Sequence, residues 1–477
     1  MARDDIKPER IETDLCVIGG GSGGLSVAAG AVQMGAKVVL IEGGKMGGDC
    51  LNYGCVPSKA LIAAAKQAHT LRNGAKFGIK DVEPEVDYAA AMEHVQDVIA
   101  GIAPHDSVER FEGLGVRVIQ DWARFVSRDE VQAGAAIIKA RRFVVATGSG
   151  PLVPPIPGLA DVPYLTNETL FDLRDRPEHL IIIGAGPIGM EMAQAHRRLG
   201  SRVTVLEAAK ALARDDPETA AIALDQLRAE GVEIVEGAQV AEVGGSPGAI
   251  TVRAGDDRQW TGSHLFVAVG RTPAIDRLDL DQAGIRYGRK GIEVDAQLRS
   301  SNRRVYAVGD VAGGLQFTHV AGYHAGVVVR SALFGLPAKA SEAHIPWVTF
   351  TDPELAQVGL TEAEARKIHG GKLEVLRFDY AENDRARAER ATQGLLKVMV
   401  VRGKPIGASI VGRQAGELIN LWALAIANGM KIGAVTAMVA PYPTIGELNK
   451  RVAGQYYVPR LFESDFVKRV VRLVQRF

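Results

Sequence analysis

Cys50 and Cys55 are the residues of this chain best placed to do redox chemistry. Four residues separate them: Leu51, Asn52, Tyr53 and Gly54. On a regular helix five steps turn the chain by about 500°, leaving the two side chains on different faces. A disulfide needs its Cα atoms within about 7 Å. The spacing therefore predicts a distorted backbone, with Gly54 supplying the freedom. Val56-Pro57-Ser58-Lys59 then starts a helix, with Pro57 near its first turn. A thiolate beside a helix N-terminus and a lysine titrates low and is reactive at neutral pH. Zinc is the rival use of such a pair. Structural zinc takes four ligands, usually two close Cys/His pairs. The third cysteine, Cys16, lies inside a strand, so the ligand count argues against a metal site. Cys16 reads as a small buried hydrophobe.

A redox pair needs an electron source, and two glycine motifs supply candidates. Leu15–Ile18 reads as a strand leading into Gly19-Gly20-Gly21-Ser22-Gly23-Gly24. A helix over Leu25–Met34 and a strand over Lys37–Ile41 follow, ending at Glu42. The pattern returns as strand His179–Ile183, Gly184-Ala185-Gly186-Pro187-Ile188-Gly189, helix Met190–Leu199 and strand Arg202–Leu206, ending at Glu207. In both copies the acid follows the first glycine by 23 residues. One such motif is weak; two, each between strand and helix with the acid in place, are specific. Gly19 and Gly184 make the turn, Gly21 and Gly186 let backbone approach a pyrophosphate, and Gly24 and Gly189 let the helix pack on the strand. The helix N-terminus faces the phosphates. The bland alternative is a pair of structural glycine turns. Two dinucleotide sites in one chain allow one nucleotide to give electrons and the other to take them.

Three further strand ends carry glycine: Val144-Val145-Ala146-Thr147-Gly148, Val267-Ala268-Val269-Gly270-Arg271 and Val305-Tyr306-Ala307-Val308-Gly309-Asp310. Thr147, Gly148, Gly270, Arg271 and Asp310 are candidate cofactor contacts, because ligands sit at the carboxyl edge of open α/β sheets. A proline-rich linker, Pro151 to Pro157, marks a domain crossing. From about Ile345 the pattern changes. Leu395–Val401 and Ile406–Val411 read as antiparallel strands and Glu417–Met430 as a helix. The expectation is two Rossmann-like dinucleotide-binding domains plus a C-terminal α+β domain.

The 56 basic and 56 acidic residues cancel, so no nucleic-acid partner is expected. No apolar run of about 18 residues suggests a membrane span. Met1–Arg10 is polar and carries no apolar signal region. Three cysteines suit a reducing, cytoplasmic setting better than a disulfide-stapled secreted one.

The run Gly47-Gly48-Asp49-Cys50-Leu51-Asn52-Tyr53-Gly54-Cys55-Val56-Pro57-Ser58-Lys59, with the order of the other motifs, resembles the class I pyridine nucleotide–disulfide oxidoreductases. These include dihydrolipoamide dehydrogenase, glutathione reductase and mercuric reductase. The resemblance covers nearly the whole chain. It implies FAD held by Gly19, Gly21, Gly24, Glu42 and Gly48, with the backbone at Ala123 near the adenine. Asp310 would meet the ribityl or pyrophosphate region, and Thr318 and His319 the flavin ring. Asp49 stands where the family usually has threonine. Lys59 would lie by the flavin, paired with Glu191; a plain surface lysine is the alternative. The second motif, Gly184, Gly186, Gly189 and Glu207, would take the nicotinamide nucleotide. A carboxylate there suits the free 2′-hydroxyl of NADH and repels the 2′-phosphate of NADPH. NADH is therefore the expected form of NAD(P)H, with Arg214 as a nearby counterweight. The implied domains are 1–150 with 285–340 for FAD, 151–284 for NAD(P)H and 345–477 for dimerisation.

By the same resemblance, Cys55 is the flavin-side, charge-transfer thiol and Cys50 the interchange thiol that meets a small thiol or disulfide, or a lipoyl group. The family's acid–base histidine lies in His-Pro-Thr-x-x-Glu, donated across a homodimer. Here the stretch is Tyr442-Pro443-Thr444-Ile445-Gly446-Glu447. Tyrosine titrates near 10 and is a poor base at neutral pH. Tyr442 is either substrate-facing or an interface aromatic. Mercuric reductases also carry tyrosine here but end in a cysteine pair, which this chain lacks. The alternative class is a redox-sensing or electron-transfer flavoprotein serving a protein partner or quinone. At the C-terminus, Phe466, Val467, Val470, Val471, Val474 and Phe477 form an apolar stripe among Lys468, Arg469, Arg472 and Arg476. Packing on its own dimer is expected of it, ahead of a membrane surface. The run Asn383–Arg390 reads as a solvated charged face rather than an anion funnel.

Overall fold

A computed structural model describes residues 9–476. Met1–Pro8, most of the stretch read as lacking a signal region, and Phe477 of the tail stripe lie outside the described residues. Two compact units emerge. One runs to Ala64 and includes Val86–Arg176 and His264–Ser341; the other comprises Ala65–Glu85, Pro177–Ser263 and the chain from Glu342 onward.

In the first unit, β1 (Glu9–Ile18) leads into α1 (Ser22–Gln33) and β2 (Val38–Ile41). β1 lies between β2 and the strand Ala136–Val145, parallel to both. Arg117–Ile119 extends the sheet beyond β2 in parallel. Val305–Ala307 pairs in parallel with the far end of Ala136–Val145. Strands buried on both faces read as continuous apolar runs. Accordingly Leu15 to Ile18 and Val38 to Ile41 are all buried. One face packs on Val27, Ala28 and Ala31 of α1 and Val327 and Val328 of helix Thr318–Phe334. The other face, which includes Cys16, Ile138 and Phe143, packs with Phe125 and with Leu278, Leu280 and Ile285. Small residues on α1 bring the helix close to the sheet, and the loop before it becomes a tight backbone cradle.

In the second unit the same plan recurs. His179–Ile183, Arg202–Glu207 and Glu233–Glu236 are parallel, with helix Pro187–Arg198 after the first strand. A three-stranded antiparallel sheet, Val240–Ser246, Ala249–Ala254 and Gln259–Gly262, follows. The C-terminal part is a five-stranded antiparallel sheet. Its strands include Leu395–Val401 and Lys404–Gly412, and helix Ala415–Ala427 packs on it around the fully buried Trp422. The α/β halves and the C-terminal α+β layer agree with the expected fold class. No helix among the described residues is long and apolar enough to cross a membrane.

Candidate active site

The cysteine pair is set by two short elements. Cys50 lies in α2 (Gly48–Asn52) and Cys55 opens α3 (Cys55–Leu71). The break falls at Tyr53, as the spacing requires. The role expected of Gly54 needs correction, because Gly54 does not adopt a positive φ. What it supplies is room: a Cβ there would stand 2.8 Å from Asp49 Oδ2. The absence of a side chain there lets α2 fold back closely beside the start of α3 with the Asp49 carboxylate in place.

Both thiols are free, Cys50 half-buried and Cys55 open to solvent. They are hydrogen-bonded to each other, and this polarises them in opposite directions. The bond from Cys50, helped by the Thr318 hydroxyl and the Lys59 charge, holds the Cys55 thiol down to about 6, against burial and the Asp49 charge. The same bond, with burial, pushes Cys50 far up. Thr318 Oγ1 lies 3.3 Å from Cys55 Sγ. Thr318 opens helix Thr318–Phe334, so the free helix N-terminus also favours a thiolate. Ser22 Oγ reaches Cys50 from the glycine loop. The pair therefore holds one proton between two sulfurs, with the thiolate on Cys55. Cys16 is fully buried, and burial pushes its thiol far up. Lys59 Nζ is 3.3 Å from Ser58 Oγ, one turn beyond Cys55.

The two glycine loops are near copies of one another. Gly19 and Gly184 take φ of +109° and +106°. A Cβ on Gly24 would strike the Gly19 carbonyl oxygen, and one on Gly189 the Gly184 oxygen. Gly20 N–H donates to Glu42 Oε2 at 2.5 Å and Ala185 N–H to Glu207 Oε2 at 2.9 Å. The other oxygen of each acid accepts from a second backbone amide, at Gly44 and Ala209. Each oxygen keeps a lone pair for a ribose hydroxyl. Neither Gly21 nor Gly186 offers a side-chain cap to the helix that follows. The amides of those first turns are thus presented to an anion instead. This donor set fits a pyrophosphate, and the first loop, beside Ser22 and Cys50, fits FAD.

Other expected contacts gather around the first loop. Gly47 bridges to Gly21, which brings Gly48 and α2 against the cradle. Asp310, just after strand Val305–Ala307, accepts from Ser149 Oγ at 2.5 Å, and its burial raises its carboxyl. Arg271 donates to Ser149 Oγ and to its carbonyl, both at 2.7 Å, and stands 3.1 Å from Asp49 Oδ1. Asn167 Nδ2 donates to the same Asp49 oxygen at 2.9 Å. The aspartate that replaces the usual threonine is therefore neutralised by Arg271 rather than left facing phosphate. Thr147 Oγ1 donates to Ala274 O, and Gly148 O accepts from Ala274 N, so this turn is braced by the Gly270 segment. Ala123 is buried at the start of the strand Ala123–Phe125. Beside it, a Cβ on Gly43 would collide with the Trp122 ring, and Arg277 lies over that ring at 4.2 Å. His319 stacks on Phe317 at 5.3 Å.

Glu191, in helix Pro187–Arg198 of the second unit, accepts from Phe350 N–H at 2.9 Å. Tyr442 is exposed, and its hydroxyl donates to Asp384 Oδ2 at 3.0 Å. That bond holds the phenol above its ordinary range. The run Asn383–Arg390 is thus more than a solvated face at Asp384, although Arg385 pairs with Glu389 as surface charges do. Glu447 pairs with Arg451 at 3.2 Å. Sequence reasoning missed Ser149, Asn167 and Asp384. Ser149 had a signal, since it follows Thr147-Gly148 at the strand end. Asn167 had none, being a lone residue in a loop. Among the described residues no group of three or more His, Cys, Asp or Glu is arranged to hold a metal.

Residues 13–325 match the family described as pyridine nucleotide-disulphide oxidoreductase, and residues 345–453 match its dimerisation domain. The chain is similar to a mercuric reductase of Bacillus cereus, 36% identical over 442 residues, covering 91% of this chain and 70% of that protein. It is similar to a dihydrolipoyl dehydrogenase of Geobacillus stearothermophilus, 34% identical over 461 residues, covering 93% and 96%. Among solved structures, the Cu(II) complex of the HOCl-induced flavoprotein disulfide reductase RclA from Escherichia coli aligns with a TM-score of 0.83 at 29% identity, covering 92% of this chain and 99% of that one.

Proposed function

Since the chain belongs to the pyridine nucleotide-disulphide oxidoreductase family and is an FAD- and NAD(P)H-dependent disulfide oxidoreductase, we propose that it works as an NADH-dependent reductase of a small disulfide or thiol-bound acceptor. The observation that carries this reading is the polarised pair, thiolate on Cys55 and proton on Cys50. FAD held at the first glycine loop and Glu42 would supply the passage of an electron pair from the nicotinamide to a disulfide.

The chain's own residues do the rest. Thr318, Lys59 and the Cys50 S–H stabilise negative charge on Cys55 sulfur. Cys50 passes its proton to the Cys55 thiolate across their hydrogen bond and attacks the acceptor disulfide, expelling its first half as thiolate. Cys55 then attacks Cys50 sulfur, closing the Cys50–Cys55 disulfide and releasing the second half, with the Cys55 proton going to a leaving thiolate. Tyr442 is no base at neutral pH, because Asp384 holds its hydroxyl protonated, and its part is to hydrogen-bond the acceptor rather than to transfer a proton. A hydrogen-bond donor suits the reductive direction, whereas oxidising a dithiol requires a group that removes protons. By family likeness Tyr442 and Glu447 would serve the cysteine pair of the second subunit in a homodimer.

The preference for NADH rests on Glu207, whose carboxylate ends the second strand of the nucleotide fold and repels a 2′-phosphate. We assign 1–150 with 285–340 to FAD, 151–284 to the nicotinamide nucleotide and 345–477 to dimerisation. The three-cysteine composition supports a reducing, cytoplasmic setting.

An anaerobic assay of the flavin-loaded protein tests the reading. NADH with lipoamide should be consumed faster than NAD with dihydrolipoamide is reduced, and Cys50→Ser should abolish both. Faster dihydrolipoamide oxidation would make it a dehydrogenase. Turnover with a quinone that survives Cys50→Ser would make it an electron-transfer flavoprotein.

A further inference from the structure

The C-terminal helix carries none of the residues assigned to the relay above. It spans Asp465–Val474, and Ser464 Oγ accepts from Val467 N–H at its start. At 100° per residue, Phe466, Val467, Val470, Val471, Leu473 and Val474 share one arc of the helix. Lys468, Arg469, Arg472 and, one turn on, Arg476 occupy the opposite arc. None of its residues is buried: Phe466 is 74% exposed, Leu473 57% and Val474 60%. Phe462, just ahead, is 71% exposed.

The charges set this helix apart from other surface helices of the chain. Other surface helices mix paired cations, as in Glu362–Arg366, Arg385–Glu389 and Glu447–Arg451, with single unpaired ones such as Lys367 and Lys450; the tail instead gathers four cations on one arc. Among the described residues none of the four tail cations has an ion pair, and Asp465 is the helix's lone acid. The family's dimerisation domain matches to residue 453, before the helix begins. A protein partner could cover the apolar arc; a bilayer with anionic headgroups over an apolar interior matches both arcs along the whole helix. Lys and Arg beside the boundary bury their stems and keep their charges among the headgroups. Ten residues rise about 15 Å, half of what spanning requires.

We propose that helix Asp465–Val474 docks the protein peripherally on an anionic phospholipid bilayer, lying in the interface plane. The sequence alone favoured a partner subunit for this helix; its lack of any buried residue and its segregated, unpaired cations favour lipid. Homodimerisation through the matched domain is compatible with this docking.

Cosedimentation of the full-length holoenzyme with vesicles decides it. Binding is expected to phosphatidylcholine vesicles containing phosphatidylglycerol, weak binding to phosphatidylcholine alone, and loss at about 0.5 M salt. Lys468→Gln with Arg469→Gln and Arg472→Gln should weaken partitioning about fivefold per cation removed. Phe466→Ser with Val470→Ser should abolish it, with flavin reduction by NADH unchanged in every variant. Binding to neither vesicle overturns the proposal, as does binding indifferent to lipid charge. Dissociation of the Phe466→Ser, Val470→Ser variant to monomers in sedimentation velocity would also overturn it, assigning the arc to a second copy.

Discussion

Two sulfurs of the same residue type are made unlike by what surrounds them. Cys55 receives hydrogen bonds from Cys50 and Thr318 and the field of Lys59; Cys50 keeps its proton and shares it in that bond. Thiolate reactivity of the reduced pair should therefore follow a group at about 6. Alkylation rates between pH 4 and 9, read by mass spectrometry, should rise through that value, and Thr318→Val should move the midpoint upward. A midpoint near the ordinary thiol value of about 8.5 would refute the polarised pair. Asp49 shows the same logic with the opposite sign. Its carboxylate, out of place beside a phosphate, is tolerated because Arg271 and Asn167 both bind it. The local motif announced an aspartate in an unusual position, but nothing within ten residues of it could reveal the arginine that neutralises it.

At the scale of elements, the two strand–glycine–helix units are interchangeable in geometry and differ in what lies beside them. The first has Ser22 and Cys50 at its mouth; the second has no redox group. Substitution of the third glycine separates their roles. A Cβ at Gly24 or Gly189 collides with the backbone oxygen that starts the turn, a strain of about 1–3 kcal/mol. Gly24→Ala should yield protein that loses its yellow colour on gel filtration. Gly189→Ala should stay yellow and show KM for NADH raised about tenfold or more. Loss of flavin from Gly189→Ala would reverse the assignment of the two loops.

The second unit, taken as a whole, is tied together by buried ions. Arg198, buried at the end of helix Pro187–Arg198, reaches Glu230 at 2.7 Å and Asp352 at 3.1 Å. Glu230 lies beyond the next helix and Asp352 in the C-terminal part. Lys397, in the antiparallel sheet, is likewise buried among Asp216, Glu218 and Glu362. Removing one partner of a buried pair leaves uncompensated charge, at about 3–5 kcal/mol. Arg198→Met should lower the thermal midpoint by about 10 °C while leaving flavin content intact. An unchanged midpoint in differential scanning calorimetry would show that the cluster does not hold these parts together.

Local sequence alone determined the strands, the two glycine turns with their acids, and the cysteine pair poised at a helix start. These follow from interactions between residues a few positions apart, where propensity, apolar patterning and glycine stereochemistry operate. Tertiary structure decided the rest. It placed Thr318 on Cys55, gave Asp49 to Arg271 and Asp384 to Tyr442, and showed that Gly54 is needed for space rather than for φ. Each of these depends on groups brought together by packing from distant parts of the chain, and no local pattern specifies which of many such groups will meet.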